Sequence, residues 1–566
     1  MPRLVLGPLL RHVGADEATV WVKTDAACAV EVRATEAGDA WTCEHQRTFE
    51  IEGHHFALIH ITDLPREGET PYEVLLDDER VWPPQDPDWE WPASCIRTLA
   101  GEDHLRICFG SCRVAYPHDP PWTLRKDQND LGREHDALSA LAHRMRALPP
   151  ASRDEWPHLL MLLGDQVYAD DLPPATKRWI AERRDVEVPP GMQVADFQEY
   201  CRLYEDSWSE PSVRWLLSTV PSAMIFDDHD VHDDWNTSVD WVRTMRARSW
   251  WDEHIVGGFM SYWAFQHLGN LDRSERDEDP VYRDVLAAKG DAGPILRELG
   301  FRADREVAGA RWSYWRDVGN VRLVVMDSRA GRVLAPGRRQ MVDDEEWACI
   351  ETWSKGSFDH LLLGTSLPAA LFPGLQSLEG FDEAITDGAR GKLAAWFGER
   401  LRQGMDLEHW AAFGESRRRL DDLLDRVSSG RHGDAPGSTV LLSGDVHHAY
   451  LLQASFGGEN GGARERAPVY QAVCSPLRNA LGKGERRAVR FATSRAGEMV
   501  GRTLARLAGV EPGDVSWRQV GEGPWFDNQV ATLLVDGRRA TLVLDRAAGP
   551  PEGPPRLERI MEQRLS

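Results

Sequence analysis

Three short segments concentrate side chains able to do chemistry together. GDQVYADD places the carboxylate of Asp165 and the phenol of Tyr168 in one loop. DDHDVHDDWN crowds acidic and imidazole groups from Asp227 to Asp234, Asp228 and His229 among them. GDVHH sets Asp445 and His447 two residues apart, so an extended segment turns both to one side. His448 follows, and FGSCR adds the thiol of Cys112 and the guanidinium of Arg113. Crowded carboxylates repel one another unless cations neutralise them. Mixed imidazole and carboxylate ligands suit a first-row transition metal, and oxygen-only ligands suit calcium, magnesium or manganese. Two such ions suit phosphoester hydrolysis, because one acidifies water and both stabilise the phosphoryl group. Each piece alone has a plainer reading. A Gly-Asp after a strand is a turn, an acidic run is a solvated face, and Cys112 is a small buried hydrophobe. Three such loops in one chain, each behind an apolar run, point jointly to a metal site.

The elements that must position these groups are also legible. HLRICFG runs into Ser111-Cys112-Arg113, HLLMLLG into Asp165, VPSAMIF into Asp227 and STVLLSG into Asp445. NVRLVVM and HLLLG run likewise into Asp327-Ser328-Arg329 and Thr365-Ser366. Continuous apolar runs ending in turn chemistry are buried strands. REHDALSALAHRMRAL and FGESRRRLDDLLDRV have helical spacing. Strands alternating with helices predict an α/β layered fold, with ligands beyond the carboxyl ends of the strands.

Residues 1–95 read differently: ATVWVKT, AVEVRATE and HFALIHITDL alternate with period two and predict a small antiparallel β-sandwich that covers the core. VWPPQDPDWEWPAS marks a boundary. Within 104–545, stretches near 172–215, 236–312 and 370–435 read as inserts, the last bringing Asp406 and His409 towards the pocket. Residues 455–467 read as a flexible loop, and 547–566, Pro/Gly-rich and then charged, as a loose tail.

A chain of 566 residues predicts two to four units, or one large core with additions. A net charge of −25 argues against stable binding to nucleic acid or anionic membranes. Eight cysteines without a CxxC pair suggest neither a zinc ribbon nor a disulfide scaffold. The 23 tryptophans read as core-packing groups. LVLGPLL precedes Arg11 and His12 rather than a small-residue cleavage site, and no apolar run reaches the ~18 residues of a membrane span. A cytoplasmic location is expected.

FGSCR at 109–113, GDQVYAD at 164–170, FDDHDVHDDWN at 226–236, DSR at 327–329, SGDVHHAY at 443–450 and CSPLRN at 474–479 form an ordered set. The set resembles the alkaline phosphatase D family, the PhoD-like phosphatases of the metallophosphoesterase superfamily. The resemblance implies a four-layer α/β/β/α core behind an immunoglobulin- or fibronectin-like sandwich. It implies Fe(3+) and Ca(2+), or alternatively Mn(2+) or Zn(2+). Asp165 would bridge two ions. Cys112, Tyr168 and His447 would complete the ferric side, and Asp228 and Asp445 the oxygen-rich side. His229 would contact the substrate phosphate or protonate the leaving group, and Arg113 would contact phosphate. The implied activity is hydrolysis of a small phosphomonoester or phosphodiester by a metal-activated hydroxide. HLLLGTSLP departs from the pattern, with Thr365 or Ser366 where the superfamily supplies a histidine. The twin-arginine export signal of secreted members is missing, which favours an intracellular phosphodiester or nucleotide as substrate. A phospholipase D-like phosphodiesterase is one rival reading. A non-catalytic phosphoester-binding scaffold on a degenerate core is another.

Overall fold

The computed structural model describes residues 1–36, 39–42, 45–99, 103–335, 337–386, 408–457, 466–510, 513 and 515–566. The alternating N-terminal segments form two sheets. One runs Leu4–Val13, Ala18–Thr24, His54–Ile61, Phe49–Ile51, and the other Cys95–Arg97, Glu69–Leu76, Ala29–Glu36, Asp39–Thr42. Their pairings are antiparallel. Ala18–Thr24 is buried along its whole length, polar residues included, although its sequence alternates. Its second face is covered by the rest of the chain. Trp21 Nε1 donates to the carbonyl of Ala264 at 2.8 Å, and Lys23 pairs with Glu205. Arg11 donates to the carbonyls of Phe265 (2.9 Å) and Gln266 (2.7 Å), so a buried guanidinium caps an irregular helical segment.

Two further sheets make the core. The first has the order Ser222–Ile225, Leu159–Leu163, His104–Gly110, Gln529–Asp536, Arg539–Ala548, Arg556–Arg564. Its first three strands are parallel and the rest antiparallel. The second runs Tyr314–Val318, Val321–Met326, His360–Thr365, Ser438–Ser443, Val469–Val473, Tyr450–Phe456, Val515–Gln519, with a parallel centre. Leu159–Leu163, His360–Thr365 and Ser438–Ser443 are buried throughout, as the apolar runs predicted. The sheets face each other closely. A Cβ on Gly364 would lie 3.0 Å from Met161 Cε and 3.4 Å from Leu163 Cδ2. Helix Ala137–Ala147 covers the first sheet and Gly414–Ser428 the second, giving α/β/β/α.

One expectation needs correction. The segment after residue 547 is no loose tail, because Arg556–Arg564 pairs antiparallel with Arg539–Ala548. The stretch 172–215 packs on the rest of the chain, with Tyr204 stacked on Phe265 at 4.4 Å. Asp406 and residues 458–465 of the expected loop lie outside the described residues. Trp156, Trp215, Trp263 and Trp312 are among the fully buried tryptophans, and the described cysteines are all free. Among the described residues no helix is long and apolar enough to cross a membrane.

Candidate metal centre

The candidate groups sit on loops that leave the carboxyl ends of the buried strands. Several are held in backbone conformations that L-residues avoid: Cys112 (φ 57°), Asp165 (φ 48°), Asp445 (φ 64°) and His447 (φ 52°) are all left-handed. Such residues cost about 1–3 kcal/mol each and persist only where surroundings over-determine them. Here Cys112 N–H donates to the Gly164 carbonyl (3.2 Å), Asp445 N–H to Ser111 Oγ (3.0 Å) and His447 N–H to Ser475 Oγ (3.2 Å). The Gly before each Asp is forced by contact. A Cβ on Gly164 would lie 2.6 Å from Asp227 Cβ, and one on Gly444 would lie 1.9 Å from Ser111 Oγ.

The loops bring Cys112, Asp165 and His447 together, with ligand atoms within 4.8 Å of one another, and Asp165, Asp227 and Asp228 likewise. Asp165 is common to both groups. Tyr168 donates to Asp165 Oδ2 at 3.2 Å, and its ring stacks on His229 with centroids 4.5 Å apart. Oδ1 of Asp165 and Oδ2 of Asp227 are buried with no hydrogen-bond partner among the described residues. Burial, reinforced by Asp227, Asp228 and Asp230, pushes the Asp165 carboxyl well above the usual range. Burial, then Asp165 and Asp445, does the same to the Cys112 thiol. Burial holds His447 down at about 4, so the imidazole is neutral and can ligate. Orphaned carboxylate oxygens beside a thiol and a neutral imidazole are a donor set that a cation fits.

Asp230, beside these residues, has a different job. Its carboxylate accepts backbone N–H groups from Asp165 (2.9 Å), Gln166 (3.1 Å), Val167 (3.3 Å) and Asp227 (2.9 Å), stapling two loops together. Burial raises it to about 7 despite those donors.

Sequence reasoning missed the charge hub. Arg329, fully buried, pairs with Asp227, with Glu408 at 2.5 Å, with Asp228 at 3.2 Å and with Asp445 at 3.5 Å. The only sequence signal was the DSR triplet behind a strand. Ser366, in the place where a histidine was expected, donates to Asp227 at 2.9 Å and meets Ser328 Oγ at 2.8 Å. Glu408 is held further by Arg332 (3.1 Å) and Thr237 (2.8 Å).

The histidines divide. His229 Nδ1 lies 2.8 Å from Asp170, and Asp233 is 3.7 Å from its Nε2. Burial would lower His229, but Asp170 and Asp228 raise it well above its ordinary value. His409 lies against Asp445 through Nε2 (3.2 Å) and against Glu379 through Nδ1 (2.5 Å). His448 turns away, with Nδ1 on the Val446 carbonyl at 2.6 Å and its ring near Tyr450 and Phe526. Arg113 needs correction. Its guanidinium is buried on Asp136 (2.8 Å) and the Ser207 carbonyl (2.7 Å), so it braces the loop and has no fork left for phosphate.

Residues 1–96 match a family model described as a domain of unknown function (DUF7800), and residues 142–286 match the PhoD-like phosphatase model. No curated protein matches the chain. Among solved structures the fold is similar to that of PhoD, at 11% identity and a TM-score of 0.60, covering 100% of this chain and 92% of that one. It is also similar to a purple acid phosphatase of yellow lupin (Lupinus luteus), at 9% identity and a TM-score of 0.50, covering 99% and 74%. The PhoD-like match is thus confined to residues 142–286, while the chain as a whole shares the fold of PhoD and of a purple acid phosphatase.

Proposed function

We propose that this chain is a metal-dependent phosphoester hydrolase acting on a small phosphomonoester or phosphodiester. The observation that carries the reading is the convergence of Cys112, Asp165 and His447, with Asp165 shared by a second group of carboxylates, at the ends of parallel strands. Cys112, Tyr168, Asp165 and His447 would hold one ion, and a ferric ion suits that thiolate, phenolate and imidazole set. Asp165, Asp228 and Asp445 would hold a second, oxygen-preferring ion such as calcium, with manganese or zinc as alternatives. Bound ions supply Lewis acidity towards a phosphoryl oxygen and acidify water.

The chain's own residues do the rest. Asp170 fixes the tautomer and orientation of His229, leaving Nε2 to hold the proton that the departing oxygen needs. Tyr168 stacks under that ring and holds it in plane. Arg329 offsets the charge of Asp227, Asp228, Asp445 and Glu408, so the anionic substrate is not repelled by an excess of carboxylate. His409 orients Asp445.

The test is hydrolysis of one phosphomonoester and one phosphodiester reporter by protein loaded with iron plus calcium, or with manganese, with Asp165→Asn as control. Turnover that falls at least a hundredfold in a folded Asp165→Asn protein is expected. Wild-type protein that takes up metal and binds the reporters without turnover would overturn hydrolysis in favour of a binding scaffold.

A further inference from the structure

In a chain of net charge −25, one cleft collects six cations: Arg125, Lys126, Lys483, Arg486, Arg487 and Arg490. Its cavity is about 260 Å³. Sites for whole small molecules span roughly 300–1,000 Å³, so this one is sized for part of a ligand. Two of the cations are matched, Lys483 by Asp127 (2.9 Å) and Arg486 by Glu134 (3.3 Å). Arg125, Lys126 and Arg487 form no ion pair among the described residues. Lys126 is half-buried, and its desolvation is reflected in a lowered pKa. A chain that keeps unpaired cations together, one of them partly desolvated, carries a repulsion that a multiply charged anion relieves. Arginine forks match phosphate oxygens in pairs.

The cleft adjoins the metal centre. Leu481 and Gly482 follow Asn479, whose side chain lies beside Tyr168. Arg490 lies over the Phe526 ring at 5.2 Å, and that ring packs at 5.9 Å against His448, the neighbour of His447.

We infer that this cleft binds a second phosphate group of the substrate, so that the preferred ester carries one phosphate at the metal centre and another on its alcohol portion. The inference deepens the phosphoesterase reading and takes its substrate from it, but the anion site itself stands on the cleft alone. A soluble bisphosphate and a phosphorylated lipid headgroup share this chemistry.

The experiment compares an alkyl phosphate with the same alkyl chain bearing a terminal second phosphate, using metal-loaded wild type, Lys126→Gln, Arg487→Ala and the double variant. Arg556→Ala, on the C-terminal edge strand, controls for loss of one positive charge. Wild type should prefer the bisphosphate, and the ratio of kcat/KM values should fall about tenfold in the double variant and hold in Arg556→Ala. Arg487→Lys should retain more of the preference than Arg487→Ala. In parallel, calorimetry with inorganic pyrophosphate should show Kd weakened about tenfold in the double variant. The same bisphosphate carried on a lipid in neutral vesicles identifies the source: a preference confined to vesicles assigns a headgroup, and one seen in solution assigns a free ester. An unchanged ratio, or a fall that Arg556→Ala reproduces, overturns the inference. If wild type hydrolyses neither ester, the phosphomonoesterase reading fails, the diester reporter decides whether a phosphodiesterase remains, and the pyrophosphate titration still decides the cleft. Binding that the double variant leaves intact overturns it.

Discussion

At the scale of single residues, Arg329 sets the balance of the centre. It meets Asp227, Asp228, Glu408 and Asp445 with no access to solvent. Removing one partner of a buried ion network strands the others, at about 3–5 kcal/mol. Arg329→Met should therefore lower the unfolding free energy read from urea titration by that amount, with a matching fall in the midpoint, and Arg329→Lys should recover part of it. A midpoint equal to wild type in Arg329→Met would show the carboxylates to be neutral. Cys112→Ser should lower iron content and remove any thiolate-to-iron absorption, read by metal analysis and visible spectra of reconstituted protein. Asp165, Tyr168, Cys112 and His447 were legible because their types converge on ligation and each follows an apolar run. Arg329 was not, because a hub is made by neighbouring loops rather than by adjacent residues. Arg113 misled for a related reason: its type suits phosphate, but its partner Asp136 lies 23 residues on and only the fold brings it there.

At the scale of elements, the loops are fixed by a few polar staples. Asp230 gathers four backbone N–H groups from two loops, using both oxygens. Asp230→Asn keeps one acceptor oxygen and turns an NH2 towards backbone donors, so it should cost about 3 kcal/mol and lower metal occupancy. Thermal melts with and without added metal would check both. Gly444→Ala is a sharper probe. Its new Cβ must displace Ser111 Oγ, which holds both the Asp445 amide and the Cys112 sulfur (3.1 Å). Metal content should collapse with little change in secondary structure. The apolar strands were readable from sequence because both faces are buried. The last strand was not, because AGPPEGPP, which only turns the chain, reads as a linker, and Arg556–Arg564 is charged as exposed edge strands usually are.

At the scale of the whole molecule, the N-terminal sandwich and the core share a buried polar seam, and this carries a pH dependence. Burial, with Arg311 and Arg11 nearby, holds His267 down at about 3. Burial and Arg316 hold His12 at about 3 as well. A depressed value means the neutral ring's stabilisation is full above the free imidazole value, about 6.5, and is lost as pH falls. Each should cost about 2 kcal/mol between pH 7 and pH 5. Urea midpoints at the two pH values should fall in wild type and fall less in His267→Phe, and equal falls would exclude this histidine as a source. The sandwich was legible from its alternation and was expected to cover the core, but the completeness of that cover was not legible, since Ala18–Thr24 shows a polar face in sequence and a buried one in space. That cover imposes an order on biogenesis. Arg11 waits for a carbonyl 254 residues further along the chain. On the ribosome the sandwich emerges first, with Trp21 and Arg11 bare until the segment around Ala264 has been synthesised. For that interval the nascent protein displays a sticky, half-finished face, and its yield in a cell depends on translation speed and chaperone supply as well as on the stability of the finished fold.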